Sequence, residues 1–198
     1  AHGPLSITIT IMGTVPTGKA LLRSGAQIGD LIYVTGQLGM AALALAITTG
    51  EINWQGPPPA ACSERLLRPQ PRVQTGLALR NLASACIDIS DGLAADLGHL
   101  LQASGKGAEI RLASLPIDPS FQHLSRQQMH NYALCRGDDY ELCFTLPVQH
   151  HQTMLAIAQI DCQISCIGVI KQIPGIHWIE ADGREISLAE TGYRHFGD

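Results

Sequence analysis

Apolar and hydroxyl residues alternate strictly in Leu5-Ser6-Ile7-Thr8-Ile9-Thr10-Ile11, which predicts a strand over residues 5–11 with one buried face. A strand needs neighbours, so this one either joins a later sheet or pairs with polypeptide outside these residues. Pro16-Thr17-Gly18 marks a turn, and the apolar run Leu31-Ile32-Tyr33-Val34-Thr35-Gly36 reads as a buried strand. The Ala- and Leu-rich stretch 40–49 predicts a helix closed by Gly50. A Pro-rich loop and a short helix ending at Leu67 follow, and Pro71 suits the first turn of a helix over 73–83.

From there the predicted elements alternate: strand 86–89, helix 93–103, strand 108–112, helix 125–134, strand 140–146, helix 148–160 and strand 164–169. A hairpin of residues 176–180 and 184–188, turned at Asp182-Gly183, comes last. This order predicts an α/β (α+β) layered fold, a mixed sheet with packed helices.

Composition narrows the function classes. The 198 residues carry 13 Lys and Arg against 17 Asp and Glu, a net charge of -4. The basic residues are scattered, so no nucleic-acid-binding patch is expected. No apolar run is long enough to span a bilayer, and no membrane partner is expected. Of the six cysteines, four lie in apolar strand-like or helix-like stretches and read as small buried hydrophobes. Cys162 and Cys166 lack the paired spacing of a zinc site. With no signal peptide in view, a reducing cytoplasm is the expected compartment. The eight histidines form no metal-binding spacing, and His150-His151 reads as part of a solvated helix face.

Candidate chemistry concentrates in Cys86-Ile87-Asp88-Ile89-Ser90-Asp91-Gly92-Leu93. Asp88 and Ser90 lie two apart on a strand and share a face. Asp91 follows at the turn into a helix, where Gly92 allows close backbone approach. Two carboxylates and a hydroxyl beside a helix amino terminus can hold a hard cation together with a phosphate. Ser90 or Asp91 acting only as a helix cap is the competing reading. Asp88, set among apolar neighbours, is expected to be buried and to need a cation or strong donors. In Arg136-Gly137-Asp138-Asp139-Tyr140-Glu141-Leu142, the paired aspartates suit an exposed turn, and Glu141 alternates with Leu142 as on a strand with one solvated face. Arg23, in the glycine-bounded Gly18–Gly25 connector, is either a phosphate contact or a solvated surface residue.

Taken in order, these segments and Leu67-Arg68-Pro69-Gln70-Pro71-Arg72 and Gly192-Tyr193-Arg194-His195-Phe196 resemble successive motifs of bacterial thiamine-monophosphate kinases. The Ser-Asp-Gly-Leu element is shared across the wider aminoimidazole-ribonucleotide-synthetase-like superfamily. The resemblance implies an ATP- and magnesium-dependent phosphorylation of thiamine monophosphate to thiamine diphosphate. It implies Asp88 and Asp91 as Mg2+ ligands, Arg23 and Ser90 as ATP contacts, and Asp138 and Tyr193 as substrate contacts, with no residue assigned a catalytic role. The family usually carries Glu at position 138, one methylene longer than Asp138.

The resemblance also implies a division of the chain. Residues 1–17 correspond to a terminal strand of an amino-terminal domain that supplies further carboxylates and a dimer-forming sheet. Residues 18–198 correspond to the carboxy-terminal α/β domain. On that reading the chain is inactive alone and belongs to a homo-oligomer, a dimer. The alternative is a non-catalytic nucleotide-binding or assembly module derived from such a kinase.

Overall fold

The continuous apolar run of β1 (Leu31–Thr35) marks it as a strand covered on both faces, and Ile32, Tyr33 and Val34 are all buried. This computed structural model describes residues 5–157, 162–188 and 192. β1 lies inside a seven-stranded sheet made with β2 (Ala85–Ile89), β3 (Gly107–Arg111), β4 (Glu141–Leu146), β5 (Ile164–Lys171), β6 (Gly175–Ile179) and β7 (Glu185–Ile186). The spatial order is β2-β4-β1-β5-β3-β6-β7. Every neighbouring pair is antiparallel except β3 and β6, which run parallel. The sheet is therefore mixed, as the sequence predicts.

Side-chain alternation divides the sheet into two apolar faces. Ile32 and Val34 of β1, Ile87 and Ile89 of β2 and Cys143 of β4 pack with α4 (Leu93–Ser104) through Leu93, Leu97 and Leu100. The opposite registers, Tyr33, Cys86, Phe144 and Leu146, pack with Leu79 of α3 (Val73–Leu79) and Met154 of α6 (His151–Ile157). Tyr33 and Phe144 stack with ring centroids 5.4 Å apart. A third cluster joins α1 (Met40–Thr49) to α2 (Ala60–Leu67) around Leu43, Cys62, Phe121 and Tyr132. Helices thus cover both sheet faces, the layered arrangement expected.

The structure corrects four local expectations. Residues 5–11 form no strand: they have no regular structure, and Leu5, Ile7, Ile9 and Ile11 are exposed. Their alternation satisfies one half of what a strand requires, and among the described residues no strand pairs with them. The helix expected over 125–134 splits into α5 (Arg126–His130) and a π turn, Asn131–Cys135. α5 begins at a complete capping box formed by Ser125 and Gln128. The helix expected over 148–160 opens with a 3-10 turn, Val148–His150, and its last residues lie outside those described. His151, expected on a solvated face, is partly buried and shares a 2.6 Å hydrogen bond with the Tyr33 hydroxyl. All six cysteines are free, and among the described residues no helix is long and apolar enough to cross a membrane.

Candidate phosphoryl-transfer site

Antiparallel pairing of β2 with β4 sets Ile89 opposite Glu141 and Asp88 opposite Leu142. The loop leaving β2 therefore meets the loop entering β4. The Asp138 amide donates to the Ser90 carbonyl at 3.0 Å, and the Tyr140 amide donates to the Ile89 carbonyl at 2.8 Å. Glycine makes this approach possible at two positions. A Cβ at Gly137 would lie 2.0 Å from the Ser90 carbonyl oxygen, and one at Gly92 (φ 107°) would meet the Arg136 carbonyl oxygen at 2.9 Å.

The first loop is held from below by Asp96. This buried carboxylate, in the first turn of α4, accepts the Ser90 and Asp91 amides through one oxygen, each at 2.9 Å. Main-chain donors that would otherwise face anything above the helix are turned inward, and the Ser90 and Asp91 side chains are left half-buried. Burial raises the Asp96 carboxyl above the usual range. The two amide hydrogen bonds oppose that rise, and the Asp91 and Asp88 charges add to it. Tyr140 is raised by burial and by the adjoining charges of Asp138, Asp88 and Asp91. The three aspartates nominated from sequence thus act within one local field.

Two of them, Asp91 and Asp138, border a cleft of about 520 Å³ whose lining also includes Ser90, Arg136, Tyr140 and Leu45 of α1. Arg136 is its cation, ion-paired with Glu51 at 2.9 Å. Asp88 is exposed, contrary to the buried position expected: it lies near the end of β2, the edge strand of the sheet, on the same face as Cys86. The Asp88 and Asp91 carboxylates accept no hydrogen bond and join no ion pair among the described residues. Two such hard, unneutralised oxygen donors suit a magnesium ion. Among the described residues, no three acidic, His or Cys side chains converge on one point that could hold a metal.

Arg23 is not brought to this cleft. Its side chain is exposed and its carbonyl accepts the Ser104 hydroxyl at 3.2 Å. Ser104 ends α4, about 18 Å of helix from the Asp91 end. Tyr193 lies outside the described residues. Its neighbour Gly192 packs at the cleft end of α4, where a Cβ would lie 3.2 Å from the Asp91 carbonyl oxygen.

Glu141 overturns its solvated-face expectation. It is 1% exposed and sits between Arg65 and Arg72. β4 is an interior strand with both faces covered, so a polar residue on it is buried with whatever partners reach it. Asp139 is buried as well, although the paired aspartates suited an exposed turn, and it accepts the Gly39 amide. Sequence reasoning also passed over Asp96. Its place four residues past the Gly92 cap, an acid in the first turn of a helix, was the available signal.

This sheet, its covering helices and the two abutting loops define a class. Residues 27–178 match the family described as AIR synthase related protein, C-terminal domain, and the chain belongs to that family. Within it, the chain is similar to thiamine-monophosphate kinases. It is 43% identical over 199 residues to the enzyme of Salmonella typhimurium strain LT2, covering 98% of this chain and 61% of that one. The crystal structure of thiamine-monophosphate kinase from Stenotrophomonas maltophilia K279a superposes with TM-score 0.76 at 41% identity, over 87% of this chain and 56% of that one. AaThiL complexed with AMPPCP and TMP gives TM-score 0.72 at 30% identity, over 89% and 54%. The chain therefore spans roughly three-fifths of the length of the curated relatives it matches.

Proposed function

We propose that this chain is the carboxy-terminal part of an enzyme that transfers the γ-phosphoryl group of ATP to thiamine monophosphate. The observation that carries the reading is the meeting of Ser90 and Asp91 with Asp138 around one cleft. The similarity to AaThiL, a protein complexed with AMPPCP and TMP, supports it. Both reactants are anionic and the transferred group needs no protein nucleophile, so the protein's task is positioning and charge neutralisation. Asp88 and Asp91 would hold Mg2+, which when bound supplies the positive charge that lets donor and acceptor phosphates approach.

In this reading Ser90 donates its hydroxyl to ATP. Asp138 presents a carboxylate to the thiamine moiety, which carries a cationic ring. Tyr193 offers an aromatic surface to the same substrate. Arg23, remote from the cleft in the single chain, meets ATP in the assembled protein. The exposed apolar residues at 5, 7, 9 and 11 dock against an amino-terminal domain. The assembled enzyme is a cytoplasmic dimer.

The chain covers 61% of the length of the Salmonella typhimurium enzyme it resembles, and the 198 residues by themselves are proposed to bind Mg-ATP through Asp88 and Asp91 without producing thiamine diphosphate. Calorimetry on the chain tests this: ATP should bind only with magnesium, and Asp88→Asn or Asp91→Asn should abolish the heat. Equal binding in wild type and variants would remove the metal-site assignment. Thiamine diphosphate formed by the isolated chain would remove the claim of inactivity.

A further inference from the structure

Residues 138–141 alternate between two environments. Asp138 and Tyr140 border the cleft, whereas Asp139 and Glu141 are 5% and 1% exposed. Each buried carboxylate grips a different part of the fold. Asp139 accepts the Gly39 amide through both oxygens, at 2.9 and 3.0 Å. Gly39 is the amino-terminal cap of α1, and α1 supplies Ala42 and Leu45 to the cleft wall. Glu141 receives Arg72 as a fork, Nε to Oε2 at 2.7 Å and Nη2 to Oε1 at 2.6 Å. Arg65 adds Nη1 to Oε1 at 2.8 Å, and the Thr35 hydroxyl donates to Oε2 at 2.5 Å.

The backbone between these anchors is unusual. Asp138 has φ 71° and Tyr140 has φ 49°, in a region that a bulky side chain enters only when its surroundings impose it. An acidic turn lying loose in solvent would leave Asp139 and Glu141 wet and would need no such anchors. Here no buried side-chain nitrogen or oxygen among the described residues lacks a partner. Burying these carboxylates is tolerable only because amide, hydroxyl and guanidinium donors meet them.

We propose that Asp139 and Glu141 are positioning residues: clamped to Gly39 and to Arg65 and Arg72, they hold the left-handed backbone that turns Asp138 toward the substrate. The clamp sets both the direction of the Asp138 carboxylate and the spacing between its loop and α1. This deepens the proposed function and rests on its reading of Asp138 as a thiamine-monophosphate contact.

Two measurements test it, using Glu141→Gln and the milder Arg72→Lys, which keeps the charge and loses the fork. The first is amide hydrogen exchange on the 198-residue chain. Exchange at the Asp138 and Tyr140 amides should speed up about tenfold or more in both variants, with β1 and β5 amides unchanged. Unchanged exchange at 138 and 140 in both variants overturns the clamp. The second is steady-state kinetics on the active enzyme that contains this chain. KM for thiamine monophosphate should rise about tenfold while KM for ATP stays constant, whereas a merely structural defect lowers kcat and moves neither KM. Unchanged KM for thiamine monophosphate beside faster exchange overturns the positioning role. A wild-type enzyme with no kinase activity sinks the proposed function instead, and the exchange data still decide whether the clamp exists.

Discussion

Arg72 closes a bidentate ion pair on Glu141, with 7% of the arginine side chain and 1% of the glutamate side chain exposed. The pair joins the segment before α3 to an interior strand, so its loss is felt on both. Glu141→Ala withdraws the carboxylate from Arg72, Arg65 and Thr35 together and leaves buried guanidinium charge behind. Removing one partner of a buried pair costs about 3–5 kcal/mol. Urea denaturation should show that loss as a lower midpoint, and Glu64→Ala, at the exposed Arg68 pair, should change stability by less than about 1 kcal/mol.

Gly137 has no room for a methyl group, because the Ser90 carbonyl occupies its Cβ position. Gly137→Ala should force the two acidic loops apart and break the Asp138 amide bond to Ser90. Overpacking of this kind costs about 1–3 kcal/mol. Thermal melting should detect it, while Gly98→Ala, with open space at its Cβ, should not destabilise the chain.

Asp96→Ala should loosen the turn that presents Ser90 and Asp91. Two amides lose their acceptor, at about 1–3 kcal/mol for each one left unsatisfied. The effect is local, so hydrogen exchange at amides 90 and 91 should accelerate more than in the body of the sheet.

Burial pushes the Asp139 carboxyl well above the usual carboxylate range. The Gly39 amide opposes the rise and the Glu141 charge adds to it. A folded-state pKa above the unfolded value near 3.9 means that the folded chain binds the extra proton. The stability from this group is therefore full below about pH 3.9 and is lost as pH rises toward the elevated folded value. Asp139→Asn retains an oxygen for the Gly39 amide and does not titrate. Urea midpoints measured upward from about pH 4 should fall less steeply in the variant than in the wild type.

The local patterns explain how much could be read in advance. β1, α1 and α4 each follow from an uninterrupted apolar run or a glycine stop, signals that lie within one segment. The meeting of the Ser90 and Asp138 loops depends on antiparallel pairing of β2 with β4, which joins residues about fifty positions apart. Glu141 looked solvated because a strand pattern alone does not say whether its second face is covered. Asp88 looked buried for the converse reason: its neighbours in sequence are apolar, but its edge position exposes it. The alternation at residues 5–11 announced a strand, and among the described residues none pairs with it.

The central claim is that the cleft bordered by Asp91 and Asp138 serves phosphoryl transfer to thiamine monophosphate. The most direct test is the formation of thiamine diphosphate from ATP, magnesium and thiamine monophosphate by the protein encoded by the complete reading frame, in wild type and as Asp91→Asn. The account predicts product from the wild type and a loss of about a hundredfold or more in the variant, the scale expected when a metal ligand in phosphoryl transfer is removed. No thiamine diphosphate from the wild type, or undiminished formation by Asp91→Asn, would contradict it.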